Sequence, residues 1–327
     1  MRVLVVGGAG YIGSQTARVL RKAGHDVLIY DNLSTGFEFL AKGFDLIVGD
    51  VHDSKKLLSA LQGCDAVMYF AANHYVGESV ANPRKYFRNN VEGGISLLNT
   101  VLDSGNKYFI FSSTCSVYGS PEKMPITEQT PRLPVNPYGI SKAFFEQALD
   151  SYDTAYGMRF ASLRYFNAAG ADESGEIGEC HDPEPHIIPL TLRAAAGFGS
   201  ALQLFGDDYP TPDGTCIRDY TNVVDLAEAH VMALKHLAAG NPSFTVNLGT
   251  GQGSSVKEVI AAVEEITGKK VPYKIVPRRA GDPPALVADP TAAQKLLGWK
   301  PKRNLRDSVA TAWKWMQRQQ EMVGAAK

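Results

Sequence analysis

The chain has 327 residues, of which 44% are hydrophobic and 20% charged, and its formal net charge is -1 at pH 7. That length can bury a large core, and the near-balanced charge lacks the basic excess that nucleic-acid binding uses. The apolar opening MRVLVV breaks at Gly7, too soon for a signal-peptide core, and no later run approaches the roughly 18 apolar residues of a membrane span, so a cytoplasmic chain without membrane contact is expected.

In chain order, RVLVV reads as a fully buried strand and Ser14 to Ala23 as the helix after it, ended by Gly24. VLIYD repeats the apolar run and ends on Asp31, completing a strand, glycine turn, helix, strand unit. DLIVGD follows, then a helix capped by Ser54 with Leu57, Leu58 and Leu61 at helical spacing, then the strand DAVMYFAA. Val91, Ile95, Leu98 and Leu102 mark one face of a further helix leading into YFIFSST. Strands that are apolar throughout and alternate with amphipathic helices imply an α/β fold, a doubly wound parallel sheet covered on both faces.

Beyond about residue 165 glycine, proline and loops increase, and helices return near 223 to 238, 255 to 267 and 305 to 320. The expected organisation is a nucleotide-binding domain over 1–165 and a smaller mixed α/β lobe over 166–327 that binds substrate. FTVNLGTG, at 244 to 251, reads as one more core strand, so a segment near 220–250 is expected to rejoin the first sheet. Cys64, Cys115, Cys180 and Cys216 lie far apart without a CxxC pair and read as reduced thiols; the seven histidines are scattered, and no metal is expected.

In GGAGYIG, Gly8, Gly10 and Gly13 satisfy GxGxxG, while Gly7, Gly10 and Gly13 satisfy GxxGxxG. Such glycines permit a tight turn and close backbone approach, so that a pyrophosphate can sit at the positive end of the following helix. The bland alternative is a turn with no ligand; the acid Asp31 ending the second strand favours the functional one. A carboxylate there accepts hydrogen bonds from ribose hydroxyls and repels a 2'-phosphate, and Asn32 follows with no adjacent Arg, which favours NAD over NADP. Asp50 fits either a second cofactor contact at the adenine edge or a helix-initiating acid.

Tyr138 and Lys142 in PYGISK stand four apart, on one face of a helix. A nearby ammonium favours the phenolate, letting the tyrosine take an alcohol proton near neutrality. The preceding strand ends SSTCSVYG and supplies hydroxyls that can hold a substrate alcohol, of which Thr114 is the best placed.

Together GGAGYIG, Asp31, SSTCSVYG and PYGISK resemble the extended short-chain dehydrogenase/reductase family. FAANHYVGESV, RNNVEGG, LRYFNAAGA, FGDDYPTPDGTCIRDY and RRAGDPPALVADP resemble its UDP-glucose 4-epimerase branch, and the similarity runs over essentially the whole chain. The resemblance implies a Rossmann sheet, retained NAD, a UDP-hexose substrate, a homodimer and a redox cycle without net oxidation. By motif position, Gly7, Gly10, Tyr11, Ile12, Gly13, Asp31, Asn32, Asp50, Val51, Phe70, Ala71, His74, Asn90, Ser112, Tyr138, Lys142 and Tyr165 would surround NAD, His74 standing where the family often has lysine. Thr114, Asn167, His186, Phe205, Arg218, Tyr220, Arg279, Asp282 and Leu286 would hold the nucleotide sugar, with Thr114, Tyr138 and Lys142 catalytic. His186 stands where some members have asparagine. Leu286 stands where some carry a bulky aromatic side chain, which leaves room for 2-acetamido sugars. The same fold serves 4,6-dehydratases, but those follow the catalytic threonine with an Asp-Glu pair, and here Cys115 and Ser116 follow. A 4-epimerase of another UDP sugar, and a cofactor sensor without chemistry, are the other readings of this fold.

Overall fold

A computed structural model of the protein describes residues 1–279 and 281–325. The apolar runs form β1 (Arg2–Val6), β2 (Asp26–Asp31), β3 (Asp45–Val48), β4 (Ala66–Tyr69), β5 (Tyr108–Thr114) and β6 (Arg159–Tyr165), joined by the strand Phe244–Leu248. All pair in parallel, in the order Phe244–Leu248, β6, β5, β4, β1, β2, β3. Alternation along β1 shows why both faces are covered. Val3 and Val5 enter one core with Leu226 and Leu234, while Leu4 and Val6 enter another with Leu97 and Phe145. The chain winds outward from β1 to β3 and then returns to β4 on the other side of β1, so the topological switch lies at the carboxyl ends of β1 and β4.

Local structure departs from the sequence reading at three places. α1 (Tyr11–Lys22) begins inside the glycine motif, three residues before Ser14, because Gly10 is its N-cap. In the helix Ser54–Leu61 the cap is Asp53, whose carboxylate accepts the Lys56 N–H at 3.1 Å, and Ser54 is the first helical residue. In the helix Gly94–Asp103 the fully buried face is Leu97, Leu98 and Val101, with Ile95 and Leu102 half-buried; the preceding turn, Phe87–Gly93, is π-helical and shifts the phase.

The second half of the chain is divided between two cores. Its helix Val223–Ala238 lies against α1, Leu226, Ala229 and Ala233 meeting Ala17 and Leu20. The helices Ile187–Ala196, Val256–Thr267 and Leu305–Ala325 pack around Leu192, Val259, Val263 and Val309, beside the paired short strands Leu202–Phe205 and Tyr273–Val276. Among the described residues, no helix is long and apolar enough to cross a membrane.

Candidate active site

The glycine turn at the end of β1 is tight because it packs against the end of β4. A Cβ on Gly7, whose φ is 84°, would lie 2.4 Å from the Ala71 nitrogen, and one on Gly13 would lie 2.2 Å from the Gly7 carbonyl oxygen. A Cβ on Gly10 would meet only that same oxygen, at 3.4 Å. Side chains of Asp53, Asn136, Asn222 and Ser255 cap the helices that follow them, but nothing caps α1. Its first N–H groups, at the cavity wall formed by Tyr11, Ile12 and Gly13, are therefore free for an anion. Asp31 braces the turn, accepting the Ala9 N–H at 2.9 Å and the Leu33 N–H at 2.8 Å. Burial raises its carboxyl above the usual range, against the pull of those two bonds. This constellation fits a dinucleotide, with α1 for the pyrophosphate and Asp31 for a ribose.

From this turn a cavity of about 1330 Å³ runs across the carboxyl ends of the strands to Leu286. A single small ligand fills roughly 300–1,000 Å³, so there is room here for two. The residues expected around NAD and sugar line it, with two exceptions. Asp50 turns its carboxylate to Asn32 Nδ2 at 2.8 Å and to His52 Nδ1 at 2.6 Å. Asn90 is buried behind the wall, holding both the N–H and the carbonyl of Asn73 at 2.9 Å. Each thus holds a residue of the cavity wall, Asp50 holding Asn32 and Asn90 holding Asn73.

Asn136 caps the helix Pro137–Tyr156, accepting the Gly139 N–H at 2.8 Å, and so sets Tyr138 and Lys142 one turn apart on the wall. Lys142 Nζ donates to the Ser112 carbonyl at 2.8 Å and lies 4.7 Å over the Phe111 ring and 6.0 Å from the Tyr138 ring. Burial pushes this amine down to about 7, with Glu146 opposing. The same burial pushes the Tyr138 phenol up to about 12, against the Thr114 hydroxyl, which pulls it down. Thr114 ends β5 on the same wall. Behind them Glu146 is gripped by Arg164 Nη2 at 2.6 Å and Ser113 Oγ at 2.6 Å, and Arg164 reaches the Tyr118 hydroxyl at 2.7 Å.

At the far end Asp282 is paired with Arg218, and Arg279 lies 3.9 Å over the Phe205 ring. Leu286 pairs in register with Arg218 and packs on a cluster containing Cys115 and Phe166. Tyr165 is fixed by its hydroxyl, 2.9 Å from His230 Nε2. His186, expected on the nucleotide, lines the cavity and places Nδ1 2.5 Å from Glu179 Oε1, and the His74 ring lies parallel to it at 5.9 Å. The sequence reading misses the wall residues Glu179, His181 and Glu184. Their signal is the spacing Glu179-x-His181-x-x-Glu184-x-His186 inside a proline-rich loop.

A doubly wound parallel sheet, an uncapped helix at its switch point and a Thr, Tyr and Lys on one wall together define a nucleotide-cofactor enzyme of the α/β class. The chain belongs to the NAD dependent epimerase/dehydratase family, which matches residues 3–249. It is 49% identical to the UDP-glucose 4-epimerase of Lactobacillus helveticus, over 96% of this chain and 97% of that protein. The crystal structure of UDP-glucose 4-epimerase from Brucella ovis in complex with NAD superposes with a TM-score of 0.94 at 48% identity, covering 95% of this chain and 97% of that one. That of UDP-glucose-4-epimerase from Stenotrophomonas maltophila, with bound NAD and formylated UDP-arabinopyranose, gives 0.95 at 41% identity, covering 98% and 99%.

Proposed function

We propose that this chain interconverts UDP-glucose and UDP-galactose by reversible epimerisation at the sugar C4, using NAD that it holds tightly and does not exchange. The observation that carries the reading is that Thr114, Tyr138 and Lys142 share one cavity with the uncapped glycine turn and with Arg218 and Arg279 at its far end.

NAD, which the glycine turn before α1 and Asp31 would hold, would supply a hydride acceptor for the hydrogen at the sugar C4. Tyr138 accepts the proton of the 4-hydroxyl and later gives it back, and Thr114 holds that oxygen in place. Lys142 offsets the phenolate charge. Arg218 and Arg279 offer paired N–H donors to the diphosphate. The cavity leaves the sugar room to present either face of its 4-ketone to the same three residues. Elimination would call for further acid and base groups beside the catalytic threonine, and Cys115 and Ser116 stand there in place of a carboxylate pair. Purified protein given UDP-galactose and no added cofactor should yield an equilibrium mixture with UDP-glucose by proton NMR; bound NAD without conversion would sink the reading.

Leu286 favours a second, wider reading in which other UDP sugars also enter, because an aliphatic side chain stands beside Arg218 where a larger one would narrow the pocket. Complete absence of turnover with UDP-N-acetylglucosamine would rule this out. We assign the protein to the cytoplasm as a homodimer, its contact built on the helix Pro137–Tyr156. There Ile140 and Phe144, one turn apart, are exposed by 42% and 47%.

A further inference from the structure

His74 meets two histidines of a distant loop on one wall of the cavity: the His181 ring is 5.1 Å from those of His74 and His186. Beside them lie Glu179 and Glu184, whose side chains are only 6% and 1% exposed. Two carboxylates buried together need two positive charges. Among the described residues, their ion-pair partners are His181 and His186, with no Lys or Arg.

Of the four imidazole–carboxylate spacings, only His186 Nδ1 to Glu179 Oε1, at 2.5 Å, is that of a short ion pair. His181 Nδ1 stands 3.4 Å from Glu179 Oε1 and 3.5 Å from Glu184 Oε1, and His186 Nδ1 stands 3.3 Å from Glu184 Oε1. His181 Nδ1 is buried without a hydrogen-bond partner, and the 9% exposed His181 side chain is aimed into the cluster. Donors about 2.1 Å from a tetrahedral ion stand about 3.4 Å from one another, the edge of that tetrahedron. Three of the four histidine–glutamate distances match it, the 2.5 Å His186–Glu179 contact being the shorter one, and all four donor atoms lie within 4.8 Å of one another.

We propose that Glu179, His181, Glu184 and His186 form a tetrahedral site for a zinc-class divalent cation on the wall of the nucleotide cavity. Two imidazole nitrogens and two carboxylate oxygens suit such an ion, whereas calcium takes six to eight oxygens and magnesium keeps several waters. Two carboxylates cancel its charge. The donors are held from behind, since Glu184 Oε1 also accepts the His186 backbone N–H at 3.0 Å and the Glu179 carbonyl accepts the Trp315 indole N–H at 2.8 Å. The ion ties the loop that follows Ala171 to the wall near Tyr11, whose ring lies 6.4 Å from that of His181. Its role is to hold this wall, because all four donors belong to the loop and Thr114, Tyr138 and Lys142 do not.

The test uses tag-free, NAD-containing enzyme, stripped with a chelator and titrated with Co²⁺ under visible absorption. The expected result is one Co²⁺ per chain, with the intense bands of tetrahedral cobalt, bleached when Zn²⁺ is added. His181→Ala and Glu184→Gln should each weaken Co²⁺ binding at least tenfold with NAD content unchanged. Failure of the unaltered enzyme to bind stoichiometrically, an octahedral spectrum, or equal affinity in both variants would overturn the proposal. Absorption reads the site without turnover, so this outcome is independent of the epimerase reading.

Discussion

Tyr138 and Lys142 are driven in opposite directions by the same burial, one up to about 12 and the other down to about 7. Neither value alone suits proton transfer at neutral pH; an ammonium beside the phenol brings the two together by favouring the phenolate. Tyr138→Phe should therefore lower kcat by roughly 10²–10⁴ while the NAD content per chain stays unchanged, as read by absorbance after denaturation. Lys142→Met leaves only Thr114 to oppose burial of the phenol. The rising limb of its kcat/KM profile should move to higher pH, and a profile that keeps its position would remove Lys142 from the mechanism. Stability follows the opposite logic. Below about pH 7 the folded protein carries a buried ammonium, and that penalty fades as pH rises from about 7 toward the ordinary 10.5. Lys142→Met should thus raise Tm more at pH 6 than at pH 9.

The glycine turn and the Tyr138 helix make different demands on their elements. Gly13→Ala puts a methyl group 2.2 Å from the Gly7 oxygen and should both destabilise the fold and release NAD. Gly10→Ala meets backbone only at 3.4 Å, so it should leave the urea midpoint near that of the parent and still weaken NAD retention, its methyl group entering the cavity. Equal loss of stability in both variants would show that the turn needs Gly10 for itself. The Tyr138 helix is anchored to β5 and β6 by the Ser113, Glu146 and Arg164 network, with Glu146 and Arg164 side chains 2% and 5% exposed. Arg164→Met leaves the buried carboxylate to the Ser113 hydroxyl and to the part-exposed Arg132, at 3.1 Å, and should cost about 3–5 kcal/mol in urea unfolding. The double variant with Glu146→Gln should recover part of that loss.

At the scale of the whole molecule, the sheet draws on both halves of the chain, because Phe244–Leu248 pairs with β6 and Val223–Ala238 covers the face on which α1 lies. We propose the division near residue 165 as a division of ligands, cofactor before and nucleotide sugar after, with the core shared between them. The exposed pair Ile140 and Phe144 carries the homodimer proposal. Phe144→Arg should convert the particle to a monomer by light scattering; an unchanged mass would place the interface elsewhere.

What the sequence by itself determined is what local chemistry dictates. Unbroken apolar strands alternating with amphipathic helices specify a covered parallel sheet, glycines before a helix specify the tight turn, and Tyr138 with Lys142 at helical spacing specifies one shared face. Only the tertiary structure decided which side chains meet across long separations. It joined Asp50 to Asn32 and Asn90 to Asn73, set His74 against His186, and gathered Glu179, His181 and Glu184 beside them. The physical reason is that strand and helix periods are local, whereas the path of an irregular proline-rich loop is chosen by what it packs against, including the Trp315 indole that anchors Glu179 from 136 residues away.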